Sequence, residues 1–203
     1  MSTPSTGGKA ADPYTAANKD PHVSIDQKIE ALDKFAASRK YGMMTTRDSS
    51  TGRLVSRCMA LVASEHGGID QPFFTNTESH KTQELEADPH VNLSFLDSSG
   101  QWASVSGIAL VETEPGLIKK YYNPTLKAWL GDLGDGVHDG SERDPRIGII
   151  RVKISTATYA VSDRTLIGFA AEVAKGTVTG QPASVNKIRE VSESESQSWR
   201  ASH

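Results

Sequence analysis

Apolar residues are spread unevenly along the chain. The first 23 residues contain no Leu, Ile, Phe or Trp and carry Pro4, Pro13 and Pro21 among Ser, Thr, Gly and Ala. Such a composition offers too little apolar area to offset the entropy of ordering, so residues 1–23 are expected to form a disordered tail. Residues 192–203 are rich in Ser and Glu, with Trp199 as their one large apolar side chain, and are expected to be a flexible tail. Between these ends the pattern is structured. Ser24-Ile25-Asp26-Gln27 has the form of a capping box, and Ile25, Ile29, Leu32 and Phe35 follow at helical spacing, predicting an amphipathic helix to about Arg39. After Tyr41-Gly42 the period shortens. Residues 43–46 and 54–62 read as strands joined in a hairpin across Asp48-Ser49-Ser50-Thr51-Gly52. Gly67-Gly68 breaks the chain before a short strand at Pro72-Phe73-Phe74-Thr75, and a helix over residues 81–87 ends at Asp88-Pro89, where proline disfavours continuation.

Val91, Leu93 and Phe95 alternate with Asn92, Ser94 and Leu96, the signature of a half-buried strand. Ser98-Ser99-Gly100 turns into a longer strand over 101–112. Residues 115–129 are helical in composition, in two pieces broken at Asn123-Pro124, and 131–145 is a Gly/Asp loop. Strands return at 147–154 and 156–161. A helix from Arg164 to near Gly176 and a weaker one over 183–191 form a C-terminal helical extension, residues 164–191. About seven strands, mostly hairpin-joined, with helices at the ends and one inserted pair, describe an α+β fold on a small closed or split β-barrel spanning 24–163.

Composition narrows the function. The 203 residues carry 22 Lys+Arg against 25 Asp+Glu, a net charge of -3 that argues against electrostatic binding to nucleic acid. A single cysteine makes neither an internal disulfide nor a Cys-rich zinc site. No apolar run approaches the ~20 residues of a membrane span, and no apolar signal region opens the chain. A soluble cytoplasmic protein without a membrane partner is expected.

The strongest local chemistry is Phe74-Thr75-Asn76-Thr77-Glu78-Ser79-His80-Lys81, which leaves a strand and enters a helix. A helix N-terminus offers unpaired amides and partial positive charge to a phosphate. Ser79 adds a hydroxyl and Lys81 a full charge, and Arg57 on the preceding strand can add a bidentate fork. The plainer reading is that Ser79 or Thr77 caps the helix while Lys81 and Arg57 are solvated surface charges.

With these residues in order, the chain resembles the flavin-binding split-barrel proteins of the pyridoxamine 5′-phosphate oxidase-like superfamily, in particular the general stress protein branch and its fungal blue-light-inducible relatives. The resemblance spans residues 26–163. It rests on Met44-Thr45-Thr46, Ser56-Arg57-Cys58-Met59, Phe74-Thr75-Asn76, Ser79-His80-Lys81 and Val91-Asn92-Leu93-Ser94-Phe95. It continues through Ser104-Val105-Ser106-Gly107-Ile108-Ala109, Lys127-Ala128-Trp129, Asp144-Pro145-Arg146 and Ile150-Arg151-Val152. It implies a six- to seven-stranded antiparallel split β-barrel with flanking helices, and FMN held at the subunit interface of a homodimer. Arg57 and Lys81 match phosphate-binding positions, assisted by Ser79 and its neighbour His80. Cys58, Met59, Ala60, Phe74, Thr75 and Asn76 match positions lining the ribityl chain and ring. Gln101, Trp102 and Trp129 fall where ring contacts come partly from the other subunit, or are plain core and interface packing.

The likeness departs from vitamin B6 phosphate oxidation, because no Arg-rich substrate motif follows Tyr159; a tryptophan common in the bacterial stress branch is also missing from residues 157–161. The implied activity is a flavin-dependent oxidoreductase acting on a small-molecule electron donor or acceptor in a stress or light response. No acid–base pair stands out, so no catalytic residue is assigned, and a non-catalytic flavin-binding, storage or sensor module is the alternative. Deazaflavin and haem are further possibilities for the barrel. Gly131-Asp132-Leu133-Gly134-Asp135-Gly136-Val137-His138-Asp139-Gly140 fails the EF-hand pattern and reads as a polar loop, with no metal expected. Lys175-Gly176-Thr177-Val178-Thr179-Gly180 is no nucleotide phosphate loop. Cys58 is read as a small buried filler, or else as a redox-active thiol.

Overall fold

The computed structural model describes residues 12–162 and 166–203. Residues 1–11 of the expected tail, and the start of the helix expected from residue 164, lie outside these. Among the described residues, seven strands form one antiparallel sheet: β1 (Tyr41–Arg47), β2 (Leu54–Ala60), β3 (Asp70–Asn76), β4 (His90–Leu96), β5 (Trp102–Glu112), β6 (Ile147–Val161) and β7 (Lys187–Val191). Their order is β2-β1-β4-β5-β6-β3, with β7 joined to the outer half of β6. The sheet curls until its end strands meet through the single bridge Leu61–Phe73, reinforced by Val62 N–H donating to Pro72 O at 2.9 Å. The fold is an α+β split barrel.

Helix α2 (Ile25–Arg39) begins at the capping box: Ser24 Oγ accepts from Gln27 N, and Gln27 Oε1 accepts from Ser24 N, each at 3.3 Å. Its buried face, Ile29, Leu32, Phe35 and Ala36, joins the barrel core of Met44, Phe73, Leu93, Phe95, Val105, Ile150, Val152 and Tyr159. Burying a side chain of this size contributes about 1.5–3 kcal/mol. Tyr159 also donates its hydroxyl to Lys28 O at 2.6 Å, tying β6 to the helix.

Four differences from the sequence reading have local causes. The strands expected at 147–154 and 156–161 are one strand, β6; the register against β5 slips between Ser106 and Gly107, leaving Ser155 as the extra residue of a β-bulge. The helix expected over 183–191 is instead the strand β7. Val185, Ile188 and Val191 are buried at three-residue spacing, but the open edge of β6 recruits the segment into the sheet, overriding its periodicity. Within the tail expected over 1–23, α1 (Pro13–Asn18) forms, because Asp12 accepts from Tyr14 N and Thr15 N. Asn18 is buried and takes the Val185 and Asn186 amides on its side-chain oxygen at 2.9 Å. The flexible tail expected over 192–203 is α7 (Glu193–Ser202), started by a second capping box of Ser192 and Glu195.

Helix α7 is held at three points. Lys28 pairs with Glu195 at 2.7 Å, Trp199 Nε1 donates to His66 O at 3.2 Å, and Arg200 donates to Asp70 Oδ1 and Ile154 O. The remaining helices are α3 (His80–Ala87), α4 (Pro115–Tyr121), α5 (Lys127–Leu130) and α6 (Leu166–Thr179). The break expected at Asn123-Pro124 is there: a 3-10 turn, Pro124–Leu126, separates α4 from α5, with Asn123 Oδ1 accepting from Thr125 N. Among the described residues, no helix is long and apolar enough to cross a membrane.

Gly107 sits at the bulge, where a Cβ would come within 2.4 Å of Lys153 O, a backbone atom that cannot step aside. Gly107→Ala is expected to destabilise the protein by about 1–3 kcal/mol, read as a lower urea midpoint at unchanged slope.

Candidate functional site

Beyond the Leu61–Phe73 bridge, β2 and β3 diverge. At these positions β2 pairs with β1 and β3 with β6, so their facing edges lack a partner strand and keep backbone donors and acceptors for something else. The gap is a cleft of about 560 Å³, with Cys58, Met59 and Ala60 on one side and Phe74, Thr75 and Asn76 on the other. Tyr41 extends the β2 side, and Tyr121, Asn123, Leu126 and Trp129, from α4, α5 and the turn between them, form an outer wall. Trp129 stands at the rim, 84% exposed. A second groove of about 440 Å³ lies beside α2 and β7; it mixes charges of both signs and contains none of the expected residues.

The outer wall is tethered from below. Arg146 donates to Leu130 O at 3.0 Å and Gly131 O at 2.8 Å, pinning the end of α5. The same guanidinium is held by Asp144 at 3.0 and 2.6 Å, and both side chains are buried. Asp144 further accepts from Gly140 N at 2.7 Å. The Arg146 bonds, chiefly, hold the Asp144 carboxyl down at about 2. In the loop between, Asp132, Asp135 and Asp139 each turn back to accept from nearby backbone amides of Gly134, Val137 and Ser141.

One charged side chain, Lys81, lines the cleft among the described residues. It projects from the first turn of α3 and donates to Ser79 Oγ at 2.8 Å, while Ser79 Oγ donates to Asn76 O at 2.7 Å. Ser79 is the N-cap residue, yet its hydroxyl makes no capping bond, so the first amides of α3 have no side-chain acceptor. Burial, and then the nearby Arg57 charge, pull the Lys81 ammonium pKa below its ordinary value. Arg57 lies behind this wall, its guanidinium bonded to Glu84 Oε1 at 2.7 Å and Thr46 Oγ1 at 2.8 Å.

Of the residues anticipated from sequence, Cys58, Met59, Ala60, Phe74, Thr75, Asn76, Lys81 and Trp129 meet in the cleft, and Ser79 touches Lys81. His80 is exposed on α3 outside the lining. Gln101 and Trp102 lie elsewhere on this chain: Gln101 bonds Asp97 at 3.0 Å and accepts from Ser162 N at 2.8 Å, and Trp102 stands opposite Leu96 and Ala160. Cys58, read as a buried filler, is exposed, because its position on β2 faces outward. Sequence reasoning missed Tyr41, Tyr121 and Asn123 in the lining, and Thr46 and Glu84 behind it. Tyr41 had a signal, since it alternates with the buried Met44 face.

Residues 27–184 match the description "Pyridoxamine 5′-phosphate oxidase like". The chain belongs to the pyridoxamine 5′-phosphate oxidase-like family. Along its full length it is 60% identical to protein bli-3 of Neurospora crassa, covering 98% of that protein. Among solved members of this fold, a chain from Jannaschia sp. CCS1 assigned to general stress protein 26 matches with a TM-score of 0.62, at 16% identity over 83% of this chain and 99% of that one. The general stress FMN/FAD binding protein of Xanthomonas citri matches with a TM-score of 0.55, at 22% identity over 68% of this chain and 91% of that one. Identities this low establish the shared fold, and the cleft between β2 and β3 is what this family member builds on it.

Asp144→Asn is expected to cost about 3 kcal/mol at neutral pH, because it leaves Arg146 buried without its counter-charge. The carboxyl pKa is lower folded than the ordinary 3.8, so the pair stabilises fully above about pH 4 and is lost as pH falls through about 2. Urea midpoints measured across that range should show the gap between wild type and variant closing toward acid.

Proposed function

We propose that this chain binds FMN in the cleft between β2 and β3, as a cytoplasmic homodimer with the cofactor at the subunit interface, and works as a flavin-dependent oxidoreductase in a stress or light response. The observation that carries this reading is the polarity of the cleft: among the described residues it has one cation, Lys81, and otherwise uncharged, largely apolar and aromatic walls. FMN has the matching polarity, a single phosphate joined by a polar chain to a planar ring, and the cleft has the size of a small-molecule site. Of the proteins that share the fold, the one from Xanthomonas citri is an FMN/FAD binding protein and one from Nostoc punctiforme an FMN binding protein.

Lys81, Ser79 and Arg57 would hold the phosphate, the open edges of β2 and β3 would meet the polar atoms of the chain and ring, and Met59, Phe74 and Trp129 would supply apolar contact. When bound, FMN supplies hydride or electron transfer, and the protein orients and tunes it. Strand-edge amides facing the ring would favour the negative charge it gains on reduction.

The dimer reading draws on an exposed apolar stretch beside the cleft, with Tyr41 58%, Met43 41% and Leu96 71% exposed and Trp102 opposite Leu96. Such a patch marks an interaction surface, and a second copy seated there would account for Gln101 and Trp102. The cytoplasmic setting suits a lone, exposed, unpaired cysteine. The stress or light setting follows the general stress proteins that share the fold and the resemblance to blue-light-inducible fungal proteins. Among the described residues the lining carries no Asp, Glu or His, which favours, as a second reading, a flavin-binding module that does not turn over.

Purified protein incubated with FMN and desalted should retain the flavin absorption bands; a colourless product refutes the cofactor. Arg57→Ala combined with Lys81→Ala is expected to weaken FMN binding by about 100-fold, and unchanged affinity would remove both residues from the phosphate site. Anaerobic stopped-flow mixing with NADH and NADPH separates the two readings: reduction well above the free-flavin background marks an enzyme, a flat trace a binder.

A further inference from the structure

Behind Lys81 stands a closed polar triangle. Arg57 Nη2 donates to Glu84 Oε1 at 2.7 Å, Arg57 Nη1 donates to Thr46 Oγ1 at 2.8 Å, and Thr46 Oγ1 donates to Glu84 Oε2 at 2.6 Å. Glu84 and Thr46 are nearly sealed from solvent, at 5% and 1% exposure, whereas the Arg57 side chain keeps 29%. Two of the five N–H donors of the guanidinium are committed to the triangle. Among the described residues the rest meet no acceptor, and they remain for another. Glu84 lies three residues after Lys81 on α3, so both leave the same helical face. Anchoring Arg57 to Glu84 therefore brings a second cation beside the ammonium.

We infer that Glu84 and Thr46 are positioning residues that lock Arg57 next to Lys81, presetting its remaining donors for the phosphate of the mononucleotide. The inference rests on the FMN reading above. Arg57 and Lys81 are electrically coupled, since the Arg57 charge helps to lower the Lys81 pKa. Two cations on a half-buried surface repel each other, and Glu84 offsets one of them, so the cluster of three carries a net +1 that a phosphate then engages. Without the triangle, the long Arg57 side chain would spend rotamer entropy on each binding event; with it, that ordering is done at folding. The competing description is a buried ion pair that only fastens α3 to β1 and β2.

Glu84→Gln and Thr46→Val decide between them in the full-length protein. The first removes the charge while keeping the shape, and the second removes the hydroxyl while leaving every charge in place. Each variant and the wild type are titrated with FMN and with riboflavin, which has the same ring and chain but no phosphate, following quenching of flavin fluorescence. Both variants are expected to bind FMN about tenfold more weakly and riboflavin within about twofold of wild type. Glu84→Gln raises the local charge to a net +2, so a site ruled by charge alone would bind FMN more tightly; that result overturns the inference. Parallel losses for both flavins, or an unchanged preference for FMN, overturn it as well. Thr46→Val carries the test where Glu84→Gln does not fold. A wild-type protein that binds neither flavin refutes the FMN reading itself, and the inference with it.

Discussion

The sheet cannot finish closing, and most of the molecule's chemistry follows from that. Its two end strands touch at Leu61 and Phe73 and then part, so two stretches of backbone face each other without hydrogen-bonding across the gap. Unpaired strand edges are costly when buried and adhesive when exposed. Here they are neither fully hidden nor left bare: α4, α5 and the turn between them arch over the opening, and Lys81 from α3 stands among its lining. The curvature that brings β2 round to β3 has its own source in β6. That strand serves β3 along one half, β7 along the other and β5 throughout, and the bulge at Ser155 lets it bend between these duties.

What was legible in the sequence was whatever local chemistry decides alone. Ser24 and Gln27 announced α2, the alternation of Val91, Leu93 and Phe95 announced β4, and Asn123-Pro124 marked the break in the inserted helices. What was not legible depends on partners far away in the chain. Residues 187–191 become a strand because β6 offers an edge. Residues 13–18 are worth ordering because Asn18 finds the Val185 and Asn186 amides more than 160 residues later. Helix α7 is an intermediate case: the capping box of Ser192 and Glu195 is local, but with Trp199 as its one large apolar residue the segment reads as a flexible tail, and what holds it, Lys28, His66, Asp70 and Ile154, lies far away in the chain. The same division runs through the candidate site. Ordered motifs pointed to both strand edges of the cleft, whereas the burial of Glu84 against Arg57 emerges only when α3 is laid across β1 and β2.

Charge is distributed with the same economy. Overall the chain is slightly acidic, at -3, yet among the described residues the cleft presents a lone cation, Lys81, and the next one behind it is already matched by Glu84. Elsewhere, buried charges come in tight sets: Asp144 with Arg146, and Arg151 with Glu65 and Glu112. Burial raises the pKa of the Glu112 carboxyl despite the neighbouring Lys153, a reminder that each such group must be compensated by specific neighbours. Both ends of the described chain brace the sheet: the residues just after α1 reach Ile188 of β7, and Arg200 of α7 holds Asp70 of β3 and Ile154 of β6.

The clamp made by Arg146 has a consequence for how this protein can change over time. Arg146 binds the carbonyls of Leu130 and Gly131 directly, so the segment between them is a closed excursion whose two ends are stapled together. Its length is mechanically decoupled from the position of α5. Insertions, deletions or whole new appendages between Asp132 and Asp139 can accumulate without tilting Trp129 or Leu130, provided Arg146 and Asp144 survive. The loop thus lies next to the cleft mouth while the Arg146 clamp insulates the cleft geometry from it.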